Sequence, residues 1–536
     1  MIDYTSFPVL ISFMGLYLQY TIVYIYVQIF IFVHIIWFLN HVILMFDFNI
    51  DLVTICIVFL VLLLKMDLES INSSSARSSP KLSSTKYEGS PFRLCVTVAF
   101  VCLGPFTFGY TIGYTSPAIP QMEELFILNK ESAAWFGSLL PLAAMFGGPV
   151  GGWMIERYGR KTTILFTSIP YMLGWWLIAK DGSVAGILIG RLFTGLSSGL
   201  ITVSAPVYIA EVSTKSLRGL LGACNQLSIT VGILTCYTLG MYHTWDSLAL
   251  FGIVPAVLMA FAVFFVPETP RYLLMKQQRV AALKALASLR GPHTDVEDEC
   301  RDVEEGIDHQ DAFTYSEFKK PELSRPLLIS LAIMFFQQFS GINAVMFYTV
   351  SIFRSAGVQN SELSTVVVGA VQVVFTVVAC YLMDRAGRRK LLIVAGSLMT
   401  ATCLTFGAYY FAVKGGNSSD TLSWLAVASL IVYIIGFSLG WGPIPALVMS
   451  ELFPSKARGA ASGLAILVNW FCAFIVTKEF SFVQDLFGEA ATFWIFGAFC
   501  LAGVMFVSKY LPETKGKSLE DIELYFLGRS MAYSSV

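Results

Sequence analysis

Charge is what this chain has least of: Asp, Glu, Lys and Arg make up only 13% of its 536 residues, about half the share of an ordinary soluble domain. With 56% apolar residues and a mean hydropathy of +0.69, a soluble globule is excluded. Histidine is nearly as scarce, and all five (His34, His41, His243, His293 and His309) lie outside the interiors of the twelve apolar runs described below, which excludes an imidazole proton relay. Of ten cysteines all but Cys300 fall inside apolar stretches and none forms a CxxC pair, so neither a disulfide framework nor a metal site is expected. No nucleophile, cofactor-binding or phosphate-binding loop stands out, which argues against an enzyme or a nucleic-acid partner.

Long apolar runs are abundant. A run of about 20 residues crosses a hydrocarbon core about 30 Å thick, and twelve such runs follow residue 95: 95–115, 133–155, 163–180, 184–209, 218–240, 247–266, 327–355, 363–383, 391–412, 423–449, 459–478 and 490–511. The chain is therefore expected to be an all-α membrane protein lying in a lipid bilayer. Basic residues concentrate after the even-numbered runs, at Arg157, Arg160 and Lys161, then Lys215 and Arg218, Arg385 to Lys390, and Lys456 and Arg458. The positive-inside rule then places both ends of the twelve-span unit in the cytosol. Asn417-Ser418-Ser419 falls on the outer face, where it is a candidate glycan acceptor.

Residues 1–65 form an extra hydrophobic block, too long for a signal peptide and poor in the Gly and Ala that let membrane helices pack. It is either two further spans or a gene-model extension ahead of a start at Met66. Residues 66–94, rich in Ser, read as a disordered cytosolic tail. The remainder repeats itself. "GGWMIERYGRK" after the second run is matched by "CYLMDRAGRRK" after the eighth, Glu211 with Arg218-Gly219 by Glu451 with Arg458-Gly459, and "PETPR" by "PETKG". The offsets are similar: 228 residues from Arg157 to Arg385, 240 from Glu211 to Glu451 and 245 from Pro267 to Pro512. Two six-helix halves of one orientation follow, 95–266 and 327–511, joined by a loop over 267–326 and followed by a cytosolic tail over 512–536. A site near the midplane between the halves is the expected consequence.

The stretch "FFQQFSGINAVMFY" (335–348) carries three amides in an apolar segment. A polyhydroxylated solute leaving water costs about 1–3 kcal/mol for each buried polar group left unpaired. Gln and Asn offer donor and acceptor together without the cost of a charge. On an unbroken helix Gln337 and Asn343 point about 120° apart, so Ser340-Gly341 is the expected joint that turns Gln337, Gln338 and Asn343 toward one cavity. The other reading is that these amides glue helices together. The charge-alternating loop, as in "RVAALKALASLRG", reads as short amphipathic helices beneath the bundle.

In these turns, in P-x-Y-x-x-E-x6-RG (206–219), PETPR, QQ-x-SG-x-N and GPIP (442–445), the chain resembles the sugar porter family of the major facilitator superfamily, over residues 95 to about 525. "GYTSPAIPQM" and "FSLGWGPIP" bring it nearest to insect facilitated trehalose transporters and animal facilitative glucose transporters. The resemblance implies a multi-pass plasma-membrane transporter that moves a small sugar, trehalose or a hexose such as glucose, without a cofactor. It adds Gln226, Asn469, Trp470 and, more weakly, Gln372 to the substrate site, and makes Phe347 and Tyr348 an outer gate. Glu156, Arg157, Arg160, Glu211, Arg218, Asp384, Arg385, Arg388, Glu451 and Arg458 are expected to pair near the cytosolic helix ends and to hold the halves together when the site faces out. Arg191 is expected to join them, with Glu268 and Arg271 tying in the loop.

Two departures from the family pattern bear on mechanism. Ala446 stands where many relatives have Trp after GPIP, which either enlarges the inner vestibule or loosens its gate and removes the tight sugar contact usual in the family. Thr111 in "FGYTIG" replaces the aspartate of proton-coupled relatives, and threonine does not titrate. Facilitated diffusion is thus favoured over proton symport. A sensor that binds sugar without moving it is a further alternative, weakened because nothing like a folded signalling domain is read in 67–92 or 512–536. The sequence does not fix the oligomeric state.

Overall fold

The computed structural model describes residues 91–214, 217–291, 295–308, 315–414, 423–453, 455–515, 517, 522, 525 and 526. Asn417, the block 1–65, residues 66–90 of the first tail and most of the last tail fall outside these. The chain divides into Met1–Thr85 and Lys86–Val536, and all described residues belong to the second unit.

Among the described residues every regular element is a helix. Eleven are long and apolar enough to cross a membrane: Phe92–Glu124, Lys130–Arg157, Arg160–Lys180, Val184–Val212, Arg218–Gly240, Trp245–Phe264, Leu323–Ser355, Ser361–Met383, Arg388–Val413, Ser423–Met449 and Gly459–Tyr510. The last, at 52 residues, is far longer than the roughly 20 that a bilayer needs. It is two spans, because Gly488 breaks it with φ 84° and ψ 164°. The protein thus has the expected twelve spans, numbered here first to twelfth. The connection expected over 479–489 shrinks to a turn at Gly488, since helix continues through residues that had read as loop. The first span likewise runs on to Glu124, past the expected end at 115, with Pro117 and Pro120 inside it. Prolines are tolerated there because neighbouring spans re-satisfy the backbone they free.

Close backbone approach fixes the first and fifth spans against each other. A Cβ added at Gly232 would lie 2.2 Å from the Phe106 carbonyl oxygen, and one at Gly109 only 1.9 Å from that of Ile229. This contact holds the start of the fifth span, with Asn225 and Gln226, at the interface of the halves. The long loop folds into Pro270–Met275, Arg279–Arg290 and Glu297–Asp308. Leu274, Ala282, Leu286 and Cys300 make their common core. Arg290 grips Glu299 through two bonds of 3.0 and 2.7 Å and donates Nη1 to the Val212 carbonyl at 3.0 Å, docking the loop on the end of the fourth span.

Candidate functional site

The seventh span breaks where its sequence places the Ser-Gly pair. One helix ends at Phe339, Gly341 takes the left-handed conformation with φ 90° and ψ 8°, and a second helix begins at Ile342. A Cβ at Gly341 would sit 2.5 Å from the Phe496 ring, so only glycine fits the joint. The Tyr433 hydroxyl donates to the Ser340 carbonyl at 3.0 Å and pins the turn from behind.

Beyond the joint the amides form one chain, each donating to the next. Asn343 Nδ2 donates to Gln338 Oε1 (2.6 Å), Gln338 Nε2 to Asn469 Oδ1 (3.1 Å) and Asn469 Nδ2 to Gln337 Oε1 (2.8 Å). Gln337 Nε2 closes the run on the Trp441 carbonyl at 2.6 Å. That carbonyl is presented by a π-turn over Phe437–Trp441, at the GPIP break of the tenth span. These four residues, with Asn225, Gln226, Gln372 and Trp470, line a chamber of about 300 Å³ between the two halves. No Asp, Glu, His, Lys or Arg is among its lining residues. The Trp470 ring is mostly buried and packs edge-on against Phe108 at 5.9 Å. Ala446 is exposed to the chamber.

Sequence reasoning passed over Asn225. Its signal was adjacency to Gln226, yet its Oδ1, like Gln372 Oε1, is buried without a hydrogen-bond partner.

At the end of the bundle away from the mirrored ion pairs, here the distal end, the halves meet. Tyr237 donates its hydroxyl to the Met346 carbonyl at 2.8 Å, and the Val350 amide donates to Ser116 Oγ at 3.1 Å. Phe347 and Tyr348 lie buried there, close to Gly137 of the second span, with Tyr348 stacked on Phe480 at 5.0 Å. Two ion pairs cross between the halves at the rim, Lys130 with Asp485 and Arg354 with Glu124. Toward the opposite end, the chamber lining reaches Pro206 and Met449, just short of Glu211 and Glu451.

The charged end shows one design twice. Arg160 pairs with Glu211 at 2.7 Å, and Arg388 with Glu451 at 3.0 Å. Thr269 donates to Glu211 at 2.7 Å and Thr514 to Glu451 at 2.6 Å. Glu268 accepts from the backbone amides of Arg160 and Lys161, as Glu513 does from those of Arg388 and Arg389. Carboxylates thus cap the first turns of the third and ninth spans, where the helix dipole favours negative charge. Burial nevertheless holds the Glu268 carboxyl above its usual range, against those hydrogen bonds and nearby Arg160. Both ion pairs join residues of one half.

Two expectations need correction. Arg191 does not join this network: it is fully buried and donates to the Phe136 carbonyl (3.2 Å), the Thr111 carbonyl (3.3 Å) and Thr115 Oγ1, with its guanidinium over the Phe136 ring at 4.5 Å. The fourth span enters at Val184 from the distal end, so Arg191 sits about 30 Å along the helix from Glu211. Glu156, Arg157, Arg218 and Arg385 are exposed rather than drawn into the buried pairs, and Arg385 lies over the Tyr381 ring at 4.1 Å. The side chains of Asp384 and Arg458 lie outside those described.

Two related six-helix halves around an uncharged chamber studded with amides, closed at one end by contacts between them, define a multi-pass membrane transporter of the major facilitator fold. Residues 96–526 match the family model described as "Sugar (and other) transporter", and the chain belongs to that family. It is a transporter, not an enzyme. It is 42% identical over 448 residues to the mouse (Mus musculus) "Solute carrier family 2, facilitated glucose transporter member 8", covering 80% of this chain and 93% of that one. It is also 42% identical over 448 residues to the "Facilitated trehalose transporter Tret1" of Culex quinquefasciatus, covering 81% and 86%. In fold it is similar to the inward open xylose transporter XylE from E. coli, with a TM-score of 0.68 at 24% identity, over 81% of this chain and 99% of that one.

Proposed function

We propose that this protein is a facilitative uniporter for trehalose or a hexose such as glucose, working by alternating access in the plasma membrane. The reading rests on one observation: the amide chain from Asn343 to Gln337 lines a chamber without a single titratable side chain. Such a wall replaces the water around hydroxyls and offers no site to load or unload a proton. Both ends of the twelve-span unit face the cytosol, with 95–266 and 327–511 as the moving halves and 267–326 as their brace. When the chamber opens outward, the charged residues at that end re-pair across the halves and hold them together; when it opens inward, they separate and Phe347 and Tyr348 close the outer side. Residues 1–65 and 66–94 precede this machinery, 512–536 follow it, and Asn417 is a glycan acceptor outside.

Uptake of labelled trehalose and glucose into proteoliposomes tests the reading. Expected is saturable uptake of at least one of them, indifferent to a protonophore and reduced about tenfold or more by Gln337→Ala. Uptake abolished by the protonophore would establish a symporter instead.

A further inference from the structure

The halves mirror each other in their ion pairs but differ at one corner of the charged end, where the third span meets the sixth and the ninth meets the twelfth. In both corners a cation at the start of one span donates to a carbonyl at the end of the other: Lys161 Nζ to Phe264 at 2.8 Å, and Arg389 Nη2 to Ser508. Beyond that tether they diverge. The first corner is apolar, with Phe261, Phe264 and Phe265 exposed and packed ring on ring. The second is cationic. Lys390 stands where the first has Thr162, at the 228-residue offset of Arg157 and Arg385, and Lys509 replaces Phe264, at the 245-residue offset of Pro267 and Pro512. Both lysines are exposed, and the Lys509 ammonium lies over the half-exposed Tyr510 ring at 5.3 Å. Among the described residues the carboxylates here are engaged elsewhere, Glu451 with Arg388 and Glu513 with the amides of Arg388 and Arg389. The rule that sets orientation asks only for cations in these turns, and the first corner meets it with Lys161, so it does not explain the surplus at the second. The ninth and twelfth spans run antiparallel, so the residue after each member of the Arg389–Ser508 contact turns to the same side, and Lys390 and Lys509 flank one groove. Away from the charged end that groove is apolar: Val394 lies one turn from Lys390, and Met505 and Leu501 one and two turns from Lys509, all three exposed. Cations above a column of exposed apolar side chains fit an amphiphile rather than a soluble anion.

We propose that the corner between the ninth and twelfth spans binds an anionic phospholipid. Its phosphate sits between Lys390 and Lys509 beside Arg389, and an acyl chain runs along Val394, Met505 and Leu501. In the orientation given above this is the cytosolic leaflet, where anionic lipids attract basic side chains. The site fastens the second half to its leaflet, while the first half, with phenylalanines in the same place, holds no such lipid. It does not depend on which solute the chamber takes.

The test is native mass spectrometry of the full chain from micelles doped with phosphatidylserine or with phosphatidylcholine, counting the lipids retained. Wild type should hold one phosphatidylserine more than the double variant Lys390→Gln with Lys509→Gln, and each lysine removed should weaken binding about fivefold. Phosphatidylcholine should be retained equally by both. Lys276→Gln with Lys284→Gln, which takes the same charge from the loop, should bind phosphatidylserine as wild type does. The converse graft, Thr162→Lys with Phe264→Lys, should add a second site at the first corner, and it gives a reading even if the glutamine variant is lost on purification. Glycerophosphoserine, the headgroup without chains, should not displace the lipid; displacement by it would make this a site for a soluble phosphate and overturn the assignment. Equal retention of phosphatidylserine by wild type and the glutamine variant overturns the proposal, as does a graft that gains no lipid.

Discussion

Single residues at the charged end show how small groups are held against their solvation. Glu268 accepts backbone amides at the start of the third span, yet burial raises its carboxyl above the ordinary value of 4.5. A raised folded-state value means the folded protein holds the proton more tightly than the unfolded chain. Its contribution to stability is therefore complete below about 4.5 and is lost as pH rises through the higher folded value. The unfolding midpoint of wild type in detergent should fall over that mildly acidic interval relative to Glu268→Gln, which cannot titrate; parallel pH profiles would reject this account. Arg191 is the residue-scale lesson in reading sequence. Its place early in a span that enters from the distal end was legible from the alternation of turns, but its partners were not. They are two backbone carbonyls, of Phe136 and Thr111, and one hydroxyl, and carbonyls carry no side-chain signature.

At the scale of elements, the broken seventh span was the most legible feature, because amides on a perfect helix could not converge and a Ser-Gly pair lay between them. The mirrored ion pairs were legible for a related reason: the motifs recur in order, and the folded halves repeat them as Arg160 with Glu211 and Arg388 with Glu451. The turn at Gly488 was hidden, since helix runs up to it through Asp485 and past it through Glu489, residues that read as a loop. The joint at Gly341 makes a sharp prediction. Gly341→Ala forces a side chain into φ 90° and into the Phe496 ring, where its Cβ would approach to 2.5 Å. Strain of about 1–3 kcal/mol is expected from the backbone alone. The variant should lower the unfolding midpoint and cut sugar uptake at least tenfold, whereas Gly219→Ala, at an open helical position, should leave both near wild type.

For the whole molecule the decisive contrast is between its two ends. The distal end is shut by contacts between the halves, while the two mirrored ion pairs at the opposite end, Arg160 with Glu211 and Arg388 with Glu451, each join residues of one half. The pairs across the shut end, Lys130 with Asp485 and Arg354 with Glu124, lie 355 and 230 residues apart in sequence, so no spacing rule foretold them. Each is exposed and contributes about 0.2–1 kcal/mol. That is too little to lock the end, yet enough to tilt an equilibrium between two open states several-fold. Arg354→Gln should therefore raise labelling of an outer-face cysteine within the chamber, and high salt should do the same to wild type and, to a smaller extent, to the variant, which keeps Lys130 with Asp485. A covalent bond in place of the polar contact makes the stronger test. Ser116 and Val350 face each other across the halves, with Oγ and the backbone nitrogen 3.1 Å apart. In a background lacking the native cysteines, Ser116→Cys with Val350→Cys should oxidise to a disulfide that holds this end closed. Sugar uptake should stop on oxidation and return with reductant. Undiminished uptake with the bond demonstrably formed would mean that the solute passes without these halves parting, and that the chamber serves something other than alternating access.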